Sequence, residues 1–189
     1  MTRESRPEKA TPERRLSSQE MERFTECVLP YLDAAYNLAR YLVRDPHEAE
    51  EAVQEAFLRA IRHFEGFRGV DGRAWLLSIV RNTCFTQLRR RRPGSERVEF
   101  DEEIHSPREE DSGPEADLTS ATTAESVREG LDQIAVEYRE VLVLRELEGL
   151  SYKEIAHVAG VPMGTVMSRL ARGRRQLLLA LRVGAREND

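Results

Sequence analysis

The stretch Leu150–Leu170, LSYKEIAHVAGVPMGTVMSRL, followed at once by ARGRR at 171–175, constrains the chain more than any other feature. Ser151 is placed to cap a first helix, and Glu154 three residues on completes a capping box. Ile155 and Ala159 are four apart and share a face, and Ala156 is small enough for two helices to approach closely. Gly160 supplies a turn in which a positive φ costs glycine little, and Pro162 suits the start of the next helix. If Val166, Leu170 and Leu177 face inward, then Thr165, Ser168, Arg169 and Arg172 turn outward. The pattern predicts a helix-turn-helix whose second helix offers hydroxyls and arginines to the major groove of DNA. A plain αα-hairpin is the competing reading of such a pattern, and the arginines that follow weigh against it.

Charge is distributed in blocks. The net charge of −5 conceals them. Residues 25–67 carry 4 basic and 8 acidic side chains, and residues 98–129 carry 2 and 11. Between them, residues 68–97 carry 8 basic and 2 acidic, and residues 151–189 carry 7 and 3. Two basic blocks separated by an acidic one suggest two nucleic-acid contacts joined by a linker. The N-terminus MTRESRPEKATPERR is polar and has no apolar core of a signal peptide. No apolar run approaches membrane-spanning length, so a cytoplasmic protein is expected. Cys27 and Cys84 stand far apart with no Cys/His cluster, which points to reduced thiols and no metal site.

Residues 1–16 are charged and almost devoid of apolar side chains, and disorder is expected there. Ser17 and Glu20 form a second capping box ahead of helical spacing at Phe24, Val28, Tyr31, Leu32, Ala35, Leu38, Ala39 and Leu42, with Pro30 as an interruption or junction. Asp45-Pro46 opens a helix to about Phe64, and Glu65–Gly72, with three glycines, reads as a loop. Trp75, Leu76, Ile79, Val80, Phe85 and Leu88 mark a third helix that runs into Arg89–Arg92 and stops at Pro93-Gly94. Residues 93–124 are acidic and rich in Ser, Thr and Pro, the composition of a flexible linker. Spacing from Val127 to Leu147 predicts one helix ended by Gly149. The expected fold is all-α: small helical domains at 17–92 and 125–183, with a tail at 184–189.

The third helix of the first domain combines Arg89, Arg90, Arg91 and Arg92 with Phe64, Phe67, Arg68, Arg73, Trp75 and Asn82 upstream. Consecutive arginines suit phosphates, which set affinity but not sequence. Aromatic faces beside arginines suit unstacked single-stranded bases, although each aromatic alone is more simply read as core. The helix at 45–64 carries Glu48, Glu50, Glu51 and Glu55, a solvated face or one that would dock a basic partner.

Three stretches together resemble the bacterial RNA polymerase sigma factors of the extracytoplasmic-function (ECF, group IV) type. DPHEAEEAVQEAFLRAIRHFEGFRG at 45–69 is similar to the polymerase-docking segment of the first sigma domain, region 2. RAWLLSIVRNTCFTQLRRRR at 73–92 is similar to the segment that recognises and melts the −10 element. YREVLVLRELEGLSYKEIAHVAGVPMGTVMSRLARGRRQL at 138–177 is similar to region 4, which reads the −35 element. The resemblance implies a DNA-binding specificity subunit, not an enzyme, that needs no cofactor. It implies that Glu50, Glu51, Gln54, Glu55 and Phe57 meet the β′ clamp helices, and that region 4 touches the β flap. It implies that Asn82 lies near a flipped −10 base, and that Thr165, Met167, Ser168, Ala171 and Arg172 face the −35 element, with Arg169 and Arg175 beside them. Promoter DNA, core polymerase and an anti-sigma protein are the implied partners. The chain departs from the family pattern at Thr86, where many relatives carry Asp, and at Met167 and Ala171, where larger or basic residues are common. All three bear on base preference.

Three other readings compete. A helix-turn-helix regulator would use residues 17–92 for a ligand or a dimer seam, which the basic, aromatic third helix does not favour. A sigma-like decoy would have lost its basic residues, yet Arg89–Arg92 and Arg169–Arg175 are intact. An enzyme would need a constellation that the dispersed His47, His63, His105 and His157 do not provide.

Overall fold

A computed structural model of the chain describes residues 16–69, 71–91 and 124–187. Every regular element among them is helical. The expected N-terminal extension, the linker, Arg92 and the Pro93-Gly94 stop lie outside these residues, apart from Leu16 and Ala124 at their edges.

The first set of helices is α1 (Ser18–Cys27), α2 (Leu32–Val43), α3 (Pro46–His63) and α4 (Gly72–Arg91). Sequence-encoded caps start them. The Ser17 hydroxyl accepts from the Glu20 backbone N–H, and the Glu20 carboxylate accepts from the Ser17 N–H. Asp45 Oδ1 accepts from the Glu48 N–H at 3.0 Å, with Pro46 at the first helical position. Pro30 proves to be a junction: it sits in a 3₁₀ turn, Leu29–Tyr31, between α1 and α2. Helices α2, α3 and α4 pack on one another around Leu38, Leu42, Ala49, Ala56, Leu76, Leu77 and Val80. Phe24 and Phe64 close one end edge to face, with centroids 5.2 Å apart.

The second set is α5 (Ala124–Gln133), α6 (Val136–Leu142), α7 (Tyr152–Ala159) and α8 (Met163–Glu187). Here the expectation of one helix across 127–147 is corrected. The helix breaks at Ile134-Ala135, where Ala135 is extended (φ −61°, ψ 145°), and α6 passes into a π-helical turn, Val143–Leu147. Ile134 is buried, and Val141, Leu142, Val143 and Leu144 are buried consecutively. The break lets α5 and α6 both lie on α8, and the run is covered all round. No Gly or Pro announces the break. The second set also extends past residue 183, since α8 continues to Glu187.

The predicted 65–72 loop is partly structured. Phe64–Gly66 form a 3₁₀ turn, and Gly72 is already the first residue of α4. Gly72 is fully enclosed because α4 starts against the end of α1. A Cβ there would run into the Cys27 carbonyl oxygen, which is backbone and cannot swing away. Gly72→Ala should therefore lower stability by about 1–3 kcal/mol, the usual cost of overpacking. Urea unfolding monitored by circular dichroism checks this, and an unchanged midpoint would contradict the close approach.

Candidate nucleic-acid interface

The helix-turn-helix forms as its residues dictate. Ser151 Oγ accepts from the Glu154 N–H at 3.3 Å, and the Ser151 N–H donates to Glu154 Oε2 at 2.6 Å. These bonds hold the Glu154 carboxyl below the usual carboxylate range. Gly160 ends α7 in the left-handed region at φ 67° and donates its N–H to the Ala156 carbonyl. Ile155, Val158, Ala159, Val166 and Leu170 are buried, and Leu177 is half-buried against the core. The outer side of α8 follows from that burial. Met167, Ala171, Arg172 and Arg175 are exposed, while Thr165 and Ser168 are half-buried, with Ser168 Oγ donating to the Thr165 carbonyl.

Two arginines that were not singled out in the sequence hold this unit in place. Arg145 donates to the Leu150 carbonyl at 2.8 Å and lies over the Tyr152 ring at 5.1 Å, which fixes the entry to α7. Arg174 donates to Glu146 Oε1 through both Nε and Nη2, at 3.1 and 2.7 Å, and ties α8 to the π turn. Arg169 departs from the expected outward placement. It is half-buried, and its charge acts on the Glu140 carboxylate.

Helix α4 presents two faces. Trp75, Asn82, Thr86 and Arg89 follow spacings of three, four and seven and lie along one side, over about 21 Å at 1.5 Å per residue. Asn82 and Arg89 are exposed, and Thr86 Oγ1 donates to the Asn82 carbonyl. Arg90 is exposed, and Arg91 pairs with Glu48 of α3. The aromatics are mainly core, as their types alone suggest. Phe64 and Phe67 are buried, and Trp75 leans on Phe67 with centroids 4.8 Å apart while keeping one side open. Arg68 is exposed beside it.

The other face of α4 meets the second helical set. Arg73 pairs with Glu148 at 2.8 Å, and Asn37 of α2 donates to the other Glu148 oxygen at 3.4 Å. Arg81 Nε donates to Glu140 Oε1 at 2.7 Å, and its guanidinium sits 4.2 Å from the Phe85 ring centroid. Glu140 has no exposed surface. Burial pushes its carboxyl up, while Arg81 and Arg169 oppose that rise. Its Oε2 has no hydrogen-bond partner. The one warning in the sequence is the charged pair Arg139-Glu140 inside the apolar run from Tyr138 to Leu144. A cleft of about 650 Å³ opens at the same seam, with Phe67, Arg68 and Trp75 on one side and Lys153, Glu154 and His157 on the other.

On α3, Glu50, Glu51 and Gln54 are exposed, and Glu55 pairs with Arg59 at 2.7 Å. Phe57 is half-buried and meets Phe24 edge to face at 6.3 Å, so only part of its ring is free. Leu58, not picked out in the sequence, stands exposed among the acidic residues. No cluster of metal-ligating side chains occurs among the described residues. Cys84 is buried, and desolvation pushes its thiol up to about 12, which leaves it unreactive.

The Sigma-70 region 2 family matches residues 27–93, and the Sigma-70 region 4 family matches residues 124–177. The RNA polymerase sigma-H factor of Pseudomonas aeruginosa is 37% identical over 172 residues, covering 87% of this chain and 89% of that protein. The ECF RNA polymerase sigma-E factor of Escherichia coli K12 is 36% identical over 137 residues, covering 69% and 72%. The chain belongs to the ECF RNA polymerase sigma factors. It is also 35% identical over 158 residues to ECF sigma factor SigE of Mycolicibacterium smegmatis, and there it spans 61% of the relative's length. Among solved structures, the sigma factor RpoE, in complex with the anti-sigma factor NepR from Bartonella quintana, covers 86% of this sigma factor and 98% of its own chain. Its TM-score is 0.65 and its identity 26%. CnrH, in complex with the cytosolic domain of CnrY, shares the fold with a TM-score of 0.59 at 24% identity, over 88% and 94% of the two chains.

The lowered Glu154 carboxyl belongs to the start of α7. A carboxyl lowered in the folded state adds stability above its unfolded value of 4.5, and that stability is lost as pH falls through the folded value. Ser151→Ala should lower stability by about 0.5–2 kcal/mol near neutral pH and raise the Glu154 pKa toward 4.5. Chemical denaturation and an NMR titration check the two effects, and an unmoved Glu154 titration would contradict the capping box.

Proposed function

We propose that this sigma factor docks on core RNA polymerase through α3, reads the −35 element with α8 and captures the −10 element on α4. The observation that carries this reading is the exposed Met167–Ala171–Arg172–Arg175 face of α8, held rigid by Gly160, Arg145 and Arg174. In the groove, Arg172 and Arg175 would meet guanine edges or phosphates, and Thr165, Ser168 and Arg169 would contribute from the rim. Met167 and Ala171 would give apolar contact to a thymine methyl.

The face of Trp75, Asn82, Thr86 and Arg89, with Arg68 and Arg73 nearby, fits bases that have left the duplex. Opening DNA costs about 1–2 kcal/mol per base-pair step. Stacking on protein aromatics returns about 1–3 kcal/mol per base. Arg89, Arg90, Arg91 and Arg92 would hold phosphates. The exposed acids of α3, with Leu58, would meet the basic, partly apolar β′ clamp helices, and region 4 would touch the β flap. The domains would run over 17–92 and 125–183, joined by a flexible linker. The protein would act in the cytoplasm without catalysing a reaction and would bind an anti-sigma protein, in line with RpoE–NepR and CnrH–CnrY. Among the described residues no helix is long and apolar enough to cross a membrane.

Two variants test the division of labour on a promoter fragment in the reconstituted holoenzyme. Arg172→Ala should weaken binding by about 1–3 kcal/mol and relax discrimination at one −35 base pair. Alanine at Arg89, Arg90 and Arg91 together should weaken binding on all sequences and lower the salt slope by about 2, less than three full contacts because Arg91 already has Glu48. Unchanged −35 discrimination in the first, or an unchanged slope in the second, would contradict the corresponding assignment.

A further inference from the structure

The two DNA-reading helices are held together by polar contacts that neither promoter element uses. Glu148, 8% exposed, takes Arg73 of α4 on one oxygen and Asn37 of α2 on the other. Glu140, wholly buried, takes Arg81 of α4. Asp132 of α5 accepts from Arg139 at 3.2 Å and faces Arg44 of α2 at 3.6 Å. Around them α4 packs on α7 and α2 on α6, so one continuous apolar core runs through both helical sets.

Two elements centred about 25 base pairs apart lie about 85 Å apart on duplex DNA at 3.4 Å per base pair. A compact chain of 189 residues has a radius of gyration of only about 16 Å. The closed arrangement cannot reach both elements. It also places Lys153, Glu154 and His157 across the cleft from Arg68 and Trp75, and it occupies the Arg73 guanidinium.

We propose that the isolated chain is self-inhibited by this interdomain clasp: Glu140 and Glu148 hold Arg81 and Arg73 of α4, and promoter engagement requires the clasp to open. The inference rests on α4 being the −10 face, but closure itself is measurable without that reading. The clasp acts as a tax on affinity, since apparent binding scales with the fraction of open chain.

The test compares full-length wild type with Glu148→Gln, which keeps the side-chain shape and removes the charge. Small-angle X-ray scattering reads the maximum dimension, and fluorescence anisotropy reads binding of a random-sequence 12-nucleotide single strand. The variant is expected to expand and to bind the strand about tenfold more tightly. An expanded variant with unchanged strand affinity would overturn inhibition and the −10 assignment of α4 while leaving the closed state standing. A folded variant as compact as wild type, with the same strand affinity, would overturn the clasp. If circular dichroism shows that Glu148→Gln does not fold, the double variant Asn37→Ala/Arg44→Gly decides by the same two readouts. Both its sites are exposed, and glycine suits the positive φ of 69° at position 44. In that variant, expansion with tighter binding supports the clasp and unchanged dimensions overturn it.

Discussion

A carboxylate with no exposed surface must have a cation beside it, and for Glu140 that cation comes from the other half of the molecule. Removing one member of a buried pair generally costs about 3–5 kcal/mol, because the survivor is left charged and dry. Arg81 is therefore drawn to one place, and α4 with it. The Phe85 ring under the Arg81 guanidinium and the Asn82 side chain beside it fix the approach. Buried ion pairs add little net stability over apolar replacements, but they specify register well. Here the register sets which side of α4 meets region 4 and which side stays in solvent.

That division gives α4 its two roles. The Arg73–Arg81 side belongs to the closed molecule, and the Asn82–Thr86–Arg89 side remains available. The same economy of faces runs through α8. Val166 and Leu170 anchor it, Arg174 clamps it to Glu146, and the residues between them are left to meet a groove. Rigid support matters because a base-reading side chain discriminates only when its position is fixed by something other than the base. Arg145, Arg174 and Gly160 supply that support without touching the outer face.

Local chemistry was legible in the sequence. Both capping boxes, the Asp45-Pro46 helix start, the left-handed Gly160 and the inward Val166 and Leu170 are short-range effects written in adjacent residues. The paired basic blocks and the two-domain order were legible for the same reason. What stayed hidden is long-range. The Ile134-Ala135 break has no breaker residue and exists because α5 and α6 both have to lie on α8. Gly72 reads as one loop glycine among three until α1 is placed against it. Arg81 and Glu140 are 59 positions apart, and no local pattern links them. Arg169 looked outward by helical spacing, and only the buried Glu140 explains why it leans inward.

The central claim is that this chain confers promoter choice on RNA polymerase. Transcription in vitro with purified core enzyme on genomic fragments, with RNA 5′ ends mapped, tests it most directly. The account predicts discrete new starts that appear only when the chain is added and that share upstream −35 and −10 sequences. Addition of the chain without new starts, together with no binding to core polymerase, would contradict it.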